Sequence, residues 1–170
     1  MEKTEIVIGG WWIEILDWIR KHKTEALVLF LILSLGAFLR LYRISEYMTF
    51  LGDEGRDAIV VRRLLVNFDP ILIGPRTSVG DMYLGPLYYY LMAPALYLSG
   101  LNPAGPAVMI ALLGVATIFL VWLVAREWFL PATFKGGSLQ GEYSVNLGAL
   151  VAAALYATSP TVISLSRSSW

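Results

Sequence analysis

The chain has 170 residues, 57% of them hydrophobic and only 15% charged, with a mean hydropathy of +0.64; soluble domains carry about a quarter charged residues, so this composition points to a membrane protein. Lys plus Arg number 13 and Asp plus Glu 13, and a zero net charge leaves no basic excess to neutralise a phosphate backbone, which excludes nucleic acid as a partner. With no Cys and one His, His22, a disulfide scaffold, a thiol nucleophile and a Cys- or His-rich metal site are excluded as well.

In chain order, the first expected element is an amphipathic helix within residues 1–25. Glu14, Asp17 and Lys21 recur at helical spacing while Trp11, Trp12, Ile15, Trp18 and Ile19 cover the rest, the pattern of a helix lying in a membrane interface with its tryptophans as anchors. Residues 26–44 form the first expected span, uncharged from Ala26 to Leu39 and closed by Arg40 and Arg43, which can snorkel to headgroups. A loop, 45–105, concentrates charge in a chain that otherwise avoids it. Within it Gly52 reads as a turn and Asp53 and Glu54 as a helix N-cap or first turn. Ala58, Val61, Leu64 and Leu65 then form one side of an amphipathic helix running to about Asn67 and lying on the membrane. Asp69-Pro70 and Gly74-Pro75 break the chain, and a tyrosine-rich segment follows, interrupted by Pro86 and Pro94. Residues 106–126 and 146–165 are the second and third expected spans, joined through a flexible loop marked by Pro131, Gly136, Gly137, Ser138 and Gly141.

The basic residues do not settle orientation. Lys3, Arg20, Lys21 and Lys23 precede the first span, whereas Arg40, Arg43, Arg56, Arg62, Arg63 and Arg76 lie between the first and second, so the positive-inside rule pulls both ways.

Asp53 and Glu54 fit two roles. They can serve as a helix cap, worth about 0.5–2 kcal/mol, or as a carboxylate pair at the membrane surface, one acting as general base on an acceptor while the other orients it or holds a divalent cation. Arg56, Arg62, Arg63 and Arg76 are suited to solvent or lipid phosphate.

Four segments in order carry a resemblance: Leu39-Arg40-Leu41-Tyr42-Arg43-Ile44, Phe50-Leu51-Gly52-Asp53-Glu54, Gly85-Pro86-Leu87-Tyr88-Tyr89-Tyr90, and Ala157-Thr158-Ser159-Pro160 with Leu165-Ser166-Arg167. Together they resemble the start of the C-type membrane glycosyltransferases (GT-C fold), nearest to the protein O-mannosyltransferases and aminoarabinose transferases, over about Ala26 to Trp170. The resemblance implies an all-α, polytopic fold in the cell (plasma) membrane with three spans, the N-terminus inside and the 45–105 loop outside. It implies transfer of a hexosyl or pentosyl group from a polyprenyl-phosphate sugar donor to a protein, lipid or glycan acceptor. Asp53 would be the catalytic base with Glu54 beside it, and Arg56, Arg76, Tyr88 and Arg167 would bind substrate; some relatives need no metal. Family members run to several hundred residues, so the chain is expected to correspond to an N-terminal part of such an enzyme, inactive alone. Leu84-Gly85 stands where many relatives carry a basic or His residue.

Two other classes compete. A transporter segment requires ionisable groups inside its spans, and the second and third expected spans have none. A small scaffold subunit would use a Gly- and Ala-rich face such as Gly148, Ala149, Ala152, Ala153 and Ala154.

Overall fold

In a computed structural model of the chain, residues 17–77, 80, 82–128 and 145–168 are described. Trp11, Trp12, Glu14 and Ile15 of the expected interfacial helix, Asp81, and the Pro131–Gly141 loop lie outside them. The described residues are mostly helical and contain no strand, only isolated bridges between Thr49 and Ser168 and between Arg76 and Tyr83. The helices are α1 (Lys23–Leu41), α2 (Ile44–Tyr47), α3 (Gly52–Asn67), α4 (Leu87–Leu98), α5 (Ala104–Trp128), α6 (Leu147–Thr158) and α7 (Pro160–Leu165).

Two of them, α1 with 19 residues and α5 with 25, are long and apolar enough to cross a membrane. At 1.5 Å per residue they reach about 28 and 37 Å, against a hydrocarbon core of about 30 Å. The uncharged stretch 146–165 is not one continuous helix. Pro160 lacks an N–H and forces the preceding residue out of the helical region. Ser159 accordingly sits at φ −60°, ψ 119° between α6 and α7. The 12-residue α4 spans only about 18 Å, too short to cross.

Helices α1, α5 and α6 pack together, with α5 running opposite to the other two. Glu25 at the start of α1 meets Trp122 and Arg126 near the end of α5, and Asn146, just before α6, donates to the Arg126 carbonyl. At the other end Arg40 of α1 reaches Ala157 near the end of α6. The interface is built from small residues: Ala149, Ala153 and Ala157 are fully buried beside Ile118 and Leu29, and a β-carbon on Gly36 would run into the Ile118 side chain. Small residues let helix backbones approach closely where no water is present to drive association. This packing consumes Ala149 and Ala153, the core of the face that a scaffold subunit would offer.

Arg40 differs from the snorkelling arginine expected of it. It is fully buried and donates to the carbonyls of Gly36 (3.1 Å), Ala157 (3.0 Å) and Tyr156 (3.4 Å), with Gly114 leaving room for it. The reason lies in α6: the Tyr156 carbonyl would be bonded by the amide four residues on, and that residue is Pro160, so the helix end has an orphan acceptor that must be satisfied from outside. Trp18 departs from its expected anchor role in a similar way. Half-buried, it stacks on His22 and packs edge-on to Trp122, and the Arg126 guanidinium lies 5.0 Å over its ring.

On the other side of the bundle α3 lies on α4. Val61, Tyr89, Met92, Ala93 and Leu96 form the core there, with Ala58, Leu64 and Leu65 against it. The apolar stripe expected to face the membrane is therefore covered by α4.

Candidate functional site

The acidic pair opens α3. The helix begins at Gly52 with Leu51 in the capping position, two residues before a cap at Asp53, so Asp53 and Glu54 both fall in the first turn, and this phase separates the two carboxylates. Glu54 falls three residues after the cap, and its Oε2 turns back to accept the Leu51 N–H at 2.8 Å, half of a capping box. It is 2% exposed. Asp53 instead points outward with its side chain 57% exposed and lies 3.2 Å from the Arg56 guanidinium one turn on. Of the two expected catalytic carboxylates, only Asp53 can meet a substrate.

Behind Asp53 runs a chain of polar contacts. Arg56 Nε donates to Asp57 Oδ1 at 3.1 Å, and the Tyr89 hydroxyl of α4 donates to the same oxygen at 3.1 Å. Asp57 is 3% and Tyr89 2% exposed, so this is a buried polar link between α3 and α4 with its partners in place. The hydrogen bond to Asp57 raises the Arg56 pKa further, above its ordinary value. Burial, then the Asp57 charge and hydrogen bond, push the Tyr89 phenol up to about 12.

The remaining expected site residues are distributed around this turn. Tyr88 is half-buried, with its ring 6.1 Å from that of Tyr89. Arg76 is exposed and pairs through its backbone with Tyr83 in a narrow loop. The loop is closed by Gly74 N–H to Leu84 O at 3.0 Å and Thr77 N–H to Met82 O at 2.9 Å. Arg167 lies at the same end of the bundle, where the Thr49 amide donates to its carbonyl at 3.3 Å. A groove of about 400 Å³ opens there between Tyr47, Thr49, Pro160, Ile163, Ser164 and Arg167. The Arg167 guanidinium, however, is engaged: Nε donates to the Leu39 carbonyl at 3.1 Å and Nη2 to that of Tyr42 at 3.5 Å. Arg167 thus caps α1 while Arg40 of α1 caps α6, a reciprocal arrangement that satisfies the last carbonyls of both helices.

No family model, curated protein or solved structure matches this chain.

Among the described residues no three His, Cys, Asp or Glu side chains converge as metal ligands, and Glu54, turned into the protein, is not placed to hold a cation at the surface. The link between Asp57 and Tyr89 escaped the sequence reading. A signal for Asp57 was present: Glu54, Asp57 and Val61 share one helical face, so the face that buries Val61 also buries both acids. Nothing local marks Tyr89 among its tyrosine neighbours.

Proposed function

We propose that this chain bears the donor-side acidic motif of a glycosyltransferase that uses a polyprenyl-phosphate sugar, with Asp53 as the base. In this reading the acceptor hydroxyl or amine gives its proton to the Asp53 carboxylate as its lone pair attacks the anomeric carbon. The bond from that carbon to the phosphate oxygen breaks, and the polyprenyl phosphate leaves with the electron pair. Arg56 stands beside the base and is suited to stabilise the charge gathering on the leaving phosphate. Arg76 is a further cation on the same loop. Arg167 would have to release the α1 carbonyls to take part, so its role is as a cap. Glu54 is a positioning residue that holds the first turn of α3.

The observation that carries the reading is the split between neighbours: Asp53 exposed beside a guanidinium, Glu54 buried on the backbone. A transporter reading lacks a relay, because the buried charges of α1, Glu25 and Arg40, sit at its two ends, about 22 Å apart along the helix, Glu25 with Trp122 and Arg126 and Arg40 with the carbonyls of Gly36 and Ala157. The test is transfer from radiolabelled polyprenyl-phosphate hexose or pentose to native membrane acceptor, in proteoliposomes containing the chain together with the rest of the enzyme that the resemblance implies. Asp53→Asn should abolish transfer while membrane insertion is unchanged; retention of transfer by that variant would remove Asp53 from the chemistry.

A further inference from the structure

The outer face of α3 and the turn behind it carry an apolar surface that the fold does not use. Ile59, Arg62, Arg63 and Val66 recur at i, i+3, i+4 and i+7, on a different side of the helix from the Ala58, Val61 and Leu65 stripe that α4 covers. Ile59 and Val66 are each more than half exposed. The helix then ends at Phe68, whose backbone is left-handed (φ 55°). That helix-end position is normally taken by glycine, because a β-carbon crowds the preceding carbonyl. Phe68 is nevertheless 85% exposed, and Leu72 and Ile73 beyond it are 81% and 63% exposed. A bulky aromatic held in a strained conformation with no burial in return implies a covering medium outside the chain.

Two further observations identify that medium. Arg62 and Arg63 are exposed between the apolar positions and meet no carboxylate among the described residues; α3 has no acidic residue after Asp57, and Asp69 is the next in sequence. The level of the surface is set by packing: Pro94, Ala95 and Leu98 of α4 lie along Gly105, Val108 and Met109 in the first turns of α5, and α3 lies on α4. Helix α4 thus joins α3 and its corner, through the Tyr90 hydroxyl on the Ile71 carbonyl, to the first turns of the longest apolar helix, where that helix would enter a bilayer.

We infer that this corner docks on an anionic lipid leaflet, with Phe68, Leu72 and Ile73 at the acyl boundary and Arg62 and Arg63 on lipid phosphates. Interfacial helices bind in this way, through apolar burial together with attraction of basic side chains to anionic headgroups. The inference rests on α5, long and apolar enough to cross a membrane, and does not depend on glycosyl transfer.

The chain contains no Cys, so single-cysteine labelling is clean. Phe68→Cys and, separately, Leu72→Cys carry an environment-sensitive fluorophore in nanodiscs of phosphatidylcholine alone or mixed equally with phosphatidylglycerol. Leu113→Cys on the exposed side of α5 reports whether the chain itself is inserted. The expected result is blue-shifted emission at 68 and 72, quenching by lipids bearing a nitroxide near the headgroup, and protection from aqueous iodide. Reversing Arg62 and Arg63 to Glu should lower the nitroxide quenching by about twofold or more in the anionic discs and change it little in phosphatidylcholine. With the Leu113 probe in lipid, iodide quenching at 68 and 72 would overturn the inference, and so would protection from both quenchers, which would mean that a second copy or another protein covers the corner. Charge reversal without effect in anionic discs would overturn the lipid selectivity. A Leu113 probe in water would remove the membrane placement itself, and the inference with it.

Discussion

The Asp57–Tyr89 contact is a buried side-chain hydrogen bond between α3 and α4, and its contribution can be worked out from its surroundings. Asp57→Ala leaves the Tyr89 hydroxyl buried without an acceptor, which costs about 1–3 kcal/mol. It also removes the contact to Arg56, which, on a side chain 45% exposed, adds less than about 1 kcal/mol. The total is about 1–4 kcal/mol. Tyr89→Phe removes only the donor and leaves the carboxylate with Arg56, for about 1 kcal/mol. In the double variant no orphaned hydroxyl remains, so the combined loss should fall short of the sum by about 1 kcal/mol or more. Equilibrium denaturation of the four proteins in mixed micelles, followed by near-UV circular dichroism, measures this coupling. Additivity within about 0.3 kcal/mol would refute the argument that Asp57 and Tyr89 share one buried bond.

Two further outcomes follow from the same turn. The Tyr89 phenol is pushed up to about 12 in the folded chain, above about 10 when unfolded; its contribution to stability is therefore complete below pH 10 and declines as pH rises through 12. In Tyr89→Phe the stability profile should lose that decline, and an unchanged slope in the pH 10–12 window would contradict the assignment. Glu54→Gln preserves an acceptor for the Leu51 amide and should unfold within about 0.5 kcal/mol of the parent, whereas Glu54→Ala should lose about 1 kcal/mol; equal losses in the two variants, read by the same denaturation, would show that the turned-back carboxylate does not hold the turn.

Local features of the sequence were enough to place the helices that hydrophobicity and punctuation define. The expected span 106–126 falls within α5, which runs two residues further at each end, and the Gly52 turn with its apolar stripe delimits α3 through Asn67. What was not legible depends on partners far along the chain. Arg40 reads as an interfacial arginine until Pro160, at the far end of α6, strips the Tyr156 carbonyl of its amide. The stripe on α3 reads as membrane-facing until α4 folds over it. At the site, Asp53 and Glu54 are indistinguishable as neighbours in sequence. Their roles separate only through the phase of α3, because a helix starting at Gly52 turns Glu54 inward and Asp53 outward. Arg167 was legible as a cation near the loop, but its use on the α1 carbonyls depends on the packing of α7 beside α1.

The central claim is that a lipid-linked sugar phosphate meets the chain at Asp53. A photoreactive polyprenyl-phosphate sugar in proteoliposomes, cross-linked and mapped by mass spectrometry, tests it most directly. The account predicts labelling of peptides spanning Thr49 to Asp57, equally in the parent and in Asp53→Asn, because the substitution removes the base and not the binding surface. No labelling above that of a sugar-free polyprenyl phosphate, or labelling confined to the opposite end of the bundle around Trp122 and Arg126, would contradict it.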